Sequence, residues 1–75
     1  MVKIFTRESC APCKTLKYWL NKKNVQFQEY SLDTSPEVEA EIKSKFGFII
    51  VPIAVVGGEA VAGLNFARLN TLLGL

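Results

Sequence analysis

Val2-Lys3-Ile4-Phe5-Thr6-Arg7-Glu8-Ser9-Cys10-Ala11-Pro12-Cys13 carries a strand-like apolar run straight into the only two cysteines of the chain. Beyond Cys13, Leu16, Trp19 and Leu20 recur at helical spacing, so the thiol pair sits at a strand-to-helix junction. A helix N-terminus favours the thiolate of the first cysteine, and the thiolate is the reactive species. A disulfide between Cys10 and Cys13 would close a tiny loop and restrict the unfolded chain very little. The value of the pair is therefore chemical. With histidine absent and no acidic neighbour in view, a Cys-His protease and a His-ligated zinc site are excluded, and activation falls to the helix terminus.

The 62 residues beyond Cys13 show no internal repeat, low-complexity tract or linker. The first helix ends near Lys23-Asn24, and Val25 to Leu32 reads as a strand whose alternation slips around Gln28-Glu29. Thr34-Ser35-Pro36-Glu37 is a helix start, either as a Thr34–Glu37 capping box or with Ser35 before Pro36 at the first helical position. Val38, Ile42 and Phe46 then stack at four-residue intervals, with Glu39/Lys43 and Glu41/Lys45 as exposed acid-first pairs, until Gly47 stops the helix. Ile53 to Val56 is continuously apolar, Gly57-Gly58 makes a hairpin turn, and Glu59 to Ala62 returns as an edge strand. Gly63 breaks the chain, Asn65 caps, and Phe66, Leu69 and Leu73 form the stripe of a last helix. Trp19, Phe5, Tyr18, Tyr30 and Phe48 read as core or as partly exposed packing.

The order is β-α-β-α-β-β-α, an α/β domain over residues 1–75 with a mixed four-stranded sheet flanked by three helices. The formal charge of +2 with interspersed signs offers no run for nucleic acid or a membrane surface. The longest apolar stretch, Phe48 to Val56, is interrupted by Pro52 and is too short to span a bilayer. No signal region precedes the first strand, so a cytoplasmic monomer is expected.

This element order, with a CxxC at the first strand-helix junction and Val51-Pro52 before the third strand, resembles the thioredoxin fold in its short form, that of glutaredoxins and the glutaredoxin-like NrdH-type redoxins. Thr6 to Cys13, Ile50-Val51-Pro52 and Gly63-Leu64-Asn65 carry the resemblance. It implies a small dithiol–disulfide oxidoreductase with no bound cofactor, acting on disulfide-containing proteins, ribonucleotide reductase among them. Thioredoxin reductase would regenerate it, or glutathione as co-substrate. Cys10 would be the exposed nucleophile, Cys13 the resolving thiol, and Pro52 a cis-proline against the active site. Val51 would offer its backbone to an extended substrate, and Arg7 stands where glutaredoxins place a lysine near the glutathione carboxylate. Ala11, Pro12, Gly63, Leu64 and Asn65 would complete the substrate surface.

Two features depart from the glutaredoxin pattern. Pro12 directly before the second cysteine, followed by Lys14, looks like the thioredoxin motif, although Ser9 replaces the tryptophan before that motif and Ile4 stands at the place of its buried aspartate. Leu64-Asn65-Phe66 occupy positions where glutaredoxins carry acidic residues for the glutathione amino group, which counts against tight glutathione binding. The alternative reading is a soft-metal module in which the CxxC thiolates bind Cu(I); it would place a β-hairpin directly after the first helix.

Overall fold

The computed structural model describes residues 2–47 and 49–75; Phe48, read above as core or partly exposed packing, lies outside them. β1 (Val2–Thr6), α1 (Ala11–Lys22), β2 (Phe27–Ser31), α2 (Pro36–Phe46), β3 (Ile53–Val56), β4 (Glu59–Ala62) and α3 (Phe66–Leu73) follow one another in the expected order. The strands lie β2-β1-β3-β4 in one sheet. β1 pairs parallel with β2 and antiparallel with β3, and the β3–β4 hairpin is antiparallel. Since β2 leads into α2 and not into a hairpin, the architecture departs from the soft-metal alternative.

The alternation of the strands divides the core into two layers. Val2 and Ile4 of β1, Ala54 of β3 and Val61 of β4 face α1 and α3, packing with Leu16, Leu20 and Leu69. Phe5 and Ile53 face the other way, onto Leu32 and onto Ile42 of α2, with Val38 and Phe46 beside them. Trp19 on α1 stacks on Phe66 of α3 with ring centroids 4.9 Å apart, tying the two helices on that face together. Phe5 and Tyr30, register partners across β1 and β2, stack at 5.4 Å on the opposite face.

Helix ends follow from their residues, with three corrections. Asn24 takes φ +57° just beyond α1, and Gly47 takes φ +78° as the left-handed cap of α2. Asn65 caps α3 by accepting the Arg68 N–H at 3.2 Å. At α2 the Ser35-Pro36 placement is the one observed, yet neither predicted cap bond forms: Thr34 instead donates to the Ser31 carbonyl at 3.4 Å. Tyr18 is 64% exposed, neither core nor partly exposed packing, because it projects from the outer side of α1 while Leu16 and Leu20 take the buried side. Glu39 does not pair along its helix with Lys43; it turns back to Arg7, which precedes α1. Among the described residues, no helix is long and apolar enough to cross a membrane.

Candidate active site

Cys10 is the N-cap of α1, in extended conformation at φ −110° and ψ 104°, and Pro12 falls in the first turn, where a helix needs no N–H from it. That local geometry closes the pair. Cys10 and Cys13 form a disulfide with their Cα atoms 5.2 Å apart, and Cys10 Sγ accepts the backbone N–H of Cys13 at 3.1 Å. No acidic residue occupies the first turn of α1, so the positive end of the helix acts on Cys10 without an in-helix counter-charge. Cys13 is 1% exposed. Cys10, expected to be exposed, is only 9% exposed, with its sulfur bonded to Cys13 and meeting the Cys13 N–H.

The fold brings the other sequence candidates to the same end of the molecule. The Val51–Pro52 bond is cis, as the resemblance implies, with Pro52 buried and Val51 half-buried. The Gly63 N–H donates to the Pro52 carbonyl at 2.8 Å, which places Gly63, the exposed Leu64 and the capping Asn65 next to the proline. A cleft of about 540 Å³ over Cys10 is lined by Arg7, Ser9, Ala11, Pro12, Asp33 and Val51. On its other side Cys10 shares with Cys13 a second cavity, of about 590 Å³, whose wall includes Thr6, Lys14, Lys17 and Glu29.

Sequence reasoning missed the acidic residues of both cavities, and the premise of a pair without acidic neighbours is corrected here. Glu29 comes from β2 and Asp33 from the segment leading into α2, both distant in sequence from Cys10, while Glu8, two residues before it, also lines the second cavity. Thr6, 2% exposed, donates to Glu29 Oε2 at 2.7 Å, and Lys17 Nζ lies 3.2 Å from the same oxygen. The slip in alternation at Gln28-Glu29 was the available signal, since it puts a carboxylate on the face that packs under α1. Asp33 accepts the Glu8 backbone N–H at 2.8 Å and pairs with Arg7 at 3.1 Å; Arg7 also donates to Glu39. Arg7 is thus held by two carboxylates of its own chain.

These bonds perturb the groups in predictable directions. The Thr6 hydroxyl, and after it Lys17, hold the Glu29 carboxyl below its ordinary value. The Glu8 N–H, and after it Arg7, do the same to Asp33. The guanidinium of Arg7 is pushed up, first by its hydrogen bond to Glu39 and then by that to Asp33. A carboxylate whose pKa is lowered on folding contributes stability that is complete above its unfolded value and is lost as pH falls through its folded value. Stability to urea should accordingly decline below about pH 4, and Glu29→Gln should make that decline shallower. An identical pH profile for the variant would show that the Thr6 and Lys17 bonds give the folded state no preference for the charged form.

The glutaredoxin family model matches residues 2–61. The glutaredoxin-like protein NrdH of Lactococcus lactis subsp. cremoris is 28% identical over 72 residues, covering 96% of this chain and 99% of that protein. A glutaredoxin of Pseudomonas aeruginosa is 39% identical over 64 residues, 85% of this chain and 76% of that one. The solved structure of the glutaredoxin-like NrdH-redoxin of Escherichia coli superposes with a TM-score of 0.87 at 24% identity, over 95% of this chain and 92% of that one. The last comparison establishes the thioredoxin-type fold.

Proposed function

The chain belongs to the glutaredoxin family, whose chemistry is thiol–disulfide oxidoreduction, and from that premise we propose a dithiol reductant of protein disulfides, regenerated by an NADPH-linked thioredoxin reductase rather than by glutathione. The observation that carries the reading is the Cys10–Cys13 pair, closed at the N-cap of α1 with its second sulfur buried. In the reduced protein the Cys10 thiolate attacks one sulfur of a substrate disulfide. A mixed disulfide forms, and the first substrate thiolate leaves and takes a proton from solvent. The Cys13 thiolate then attacks Cys10 Sγ, the second substrate thiolate departs, and the Cys10–Cys13 disulfide remains. Two electrons have passed to the substrate, and the reductase returns them.

The helix terminus supports Cys10 as the nucleophile, because the Cys13 N–H that meets its sulfur would stabilise negative charge there. An extended substrate would lie along Val51, hydrogen-bonded through its backbone in the manner of an added strand, with Pro52 beneath and Ala11, Pro12, Gly63, Leu64 and Asn65 at its flanks. The likeness to NrdH supports a ribonucleotide reductase disulfide as the first substrate to test. The choice of reductant is supported by Leu64-Asn65-Phe66, which offer no carboxylate for the glutathione amino group.

One coupled assay tests both parts. Insulin disulfide reduction is followed by NADPH consumption, first with thioredoxin reductase and then with glutathione and glutathione reductase. Faster turnover with the first is expected. Faster turnover with glutathione overturns the choice of reductant, and none with either overturns the activity.

A further inference from the structure

The cleft over Cys10 holds a charge arrangement that bears on which disulfides reach the sulfur. Arg7 is the one cation among the described residues lining it. Its Nη1 lies 3.1 Å from Asp33 Oδ1, and its Nη2 donates to Glu39 Oε2. Asp33 is fixed from a second direction by the Glu8 backbone N–H at 2.8 Å. One cation against two carboxylates leaves the cluster with a net negative charge. Arg7 and Asp33 line the same cleft as Cys10, within the range of a few ångströms to about 10 Å over which salt screens charges incompletely.

We propose that Asp33 and Glu39 are specificity-determining residues that set Cys10 against anionic disulfides, glutathione disulfide included, and towards disulfides with neutral or cationic flanks. The inference rests on the exchange chemistry proposed for Cys10 and extends it to substrate class. A disulfide that reaches Cys10 Sγ through this cleft, which Val51 also lines, lays its flanking groups beside Asp33. A thiol tripeptide carrying carboxylates at both ends meets a like charge there. The guanidinium that would otherwise receive a substrate carboxylate is occupied, and drawing it away leaves Asp33 and Glu39 without their partner. A neutral disulfide meets neither obstacle. Like-charge juxtaposition of this kind discriminates among partners through the encounter rate.

The test is the double variant Asp33→Asn/Glu39→Gln, in which the asparagine oxygen can still accept the Glu8 N–H. Pre-reduced protein is mixed with glutathione disulfide, bis(2-hydroxyethyl) disulfide or cystamine, and single-turnover oxidation is followed by acid quench and thiol counting. Two charges are removed from the cluster. The rate ratio of glutathione disulfide to the neutral disulfide should therefore rise about tenfold over the parent protein, and the ratio for cystamine should fall. Ratios within one protein cancel differences in the active fraction, and comparison with the parent cancels the intrinsic reactivity of each disulfide. Unchanged ratios while all three disulfides still react would overturn the inference and leave the exchange activity standing. Failure of the parent protein to react with any of them would overturn the proposed function instead. If the double variant does not fold, Glu39→Gln alone decides: a smaller shift in the same direction supports the inference, and no shift overturns it.

Discussion

Cys10→Ser should lose disulfide reduction by about a thousandfold or more, the scale seen when a covalent nucleophile is removed. The chain contains two sulfurs able to exchange, and the one that would remain, Cys13, is 1% exposed and lies inside the first turn of α1. A serine hydroxyl at position 10 would receive the same N–H from residue 13, but at neutral pH almost none of it is ionised, whereas a thiol starts from a pKa near 8.5 and is lowered at a helix N-terminus. Cys13→Ser should behave differently. Cys10 would still attack, but no second thiol would follow, so a mixed disulfide should accumulate and appear by mass spectrometry as a covalent adduct. Insulin reduction at the parental rate by Cys10→Ser would remove Cys10 from the nucleophile's role. An adduct trapped on residue 13 in that variant would transfer the role to Cys13.

The parts of the molecule legible in sequence are those written in short-range pattern. Glycine and asparagine marked the helix ends at Asn24, Gly47 and Asn65 because left-handed backbone and side-chain capping are local needs. The Val38, Ile42 and Phe46 stripe found the buried side of α2 for the same reason. What was missed depends on contacts made across the sheet. Glu39 reads as one half of a helical i, i+4 pair, but the fold offers it Arg7. An exposed helical pair is worth only a few tenths of a kcal/mol, and such a margin is readily reversed by a guanidinium already held beside Asp33. Tyr18 falls among helix residues of mixed character, and the packing of Leu16 and Leu20 on the sheet, with α3 against Trp19, leaves it on the uncovered side of α1. The two cysteines were visible from spacing alone, whereas the place of Glu29 beside them was visible only once β2 lay beside β1.

Leu16→Ala should be strongly destabilising. Leu16 is fully buried, three residues beyond Cys13, and packs in the layer that holds Ile4, Leu20, Ala54, Val61 and Leu69. Truncating a leucine in such a place costs about 3–5 kcal/mol, the transfer free energy of the lost methyl groups plus that of the cavity they leave. A 75-residue chain buries a smaller fraction of its surface than a larger domain does, and its total stability lies towards the lower end of roughly 5–15 kcal/mol. The urea midpoint should therefore fall by about 2 M or more, or the variant should be partly unfolded in buffer. Leu64→Ala is the matched comparison. It removes the same atoms from a side chain that is 39% exposed in the loop before α3, so it should change stability by about 0.5 kcal/mol or less. Because the N-terminal turn of α1 holds both cysteines, the Leu16 variant should also exchange disulfides more slowly in proportion to its unfolded fraction, while Leu64→Ala should keep its fold and alter only the surface beside Pro52. Equal urea midpoints for the two variants would show that packing beneath α1 is not what holds the thiol pair in place.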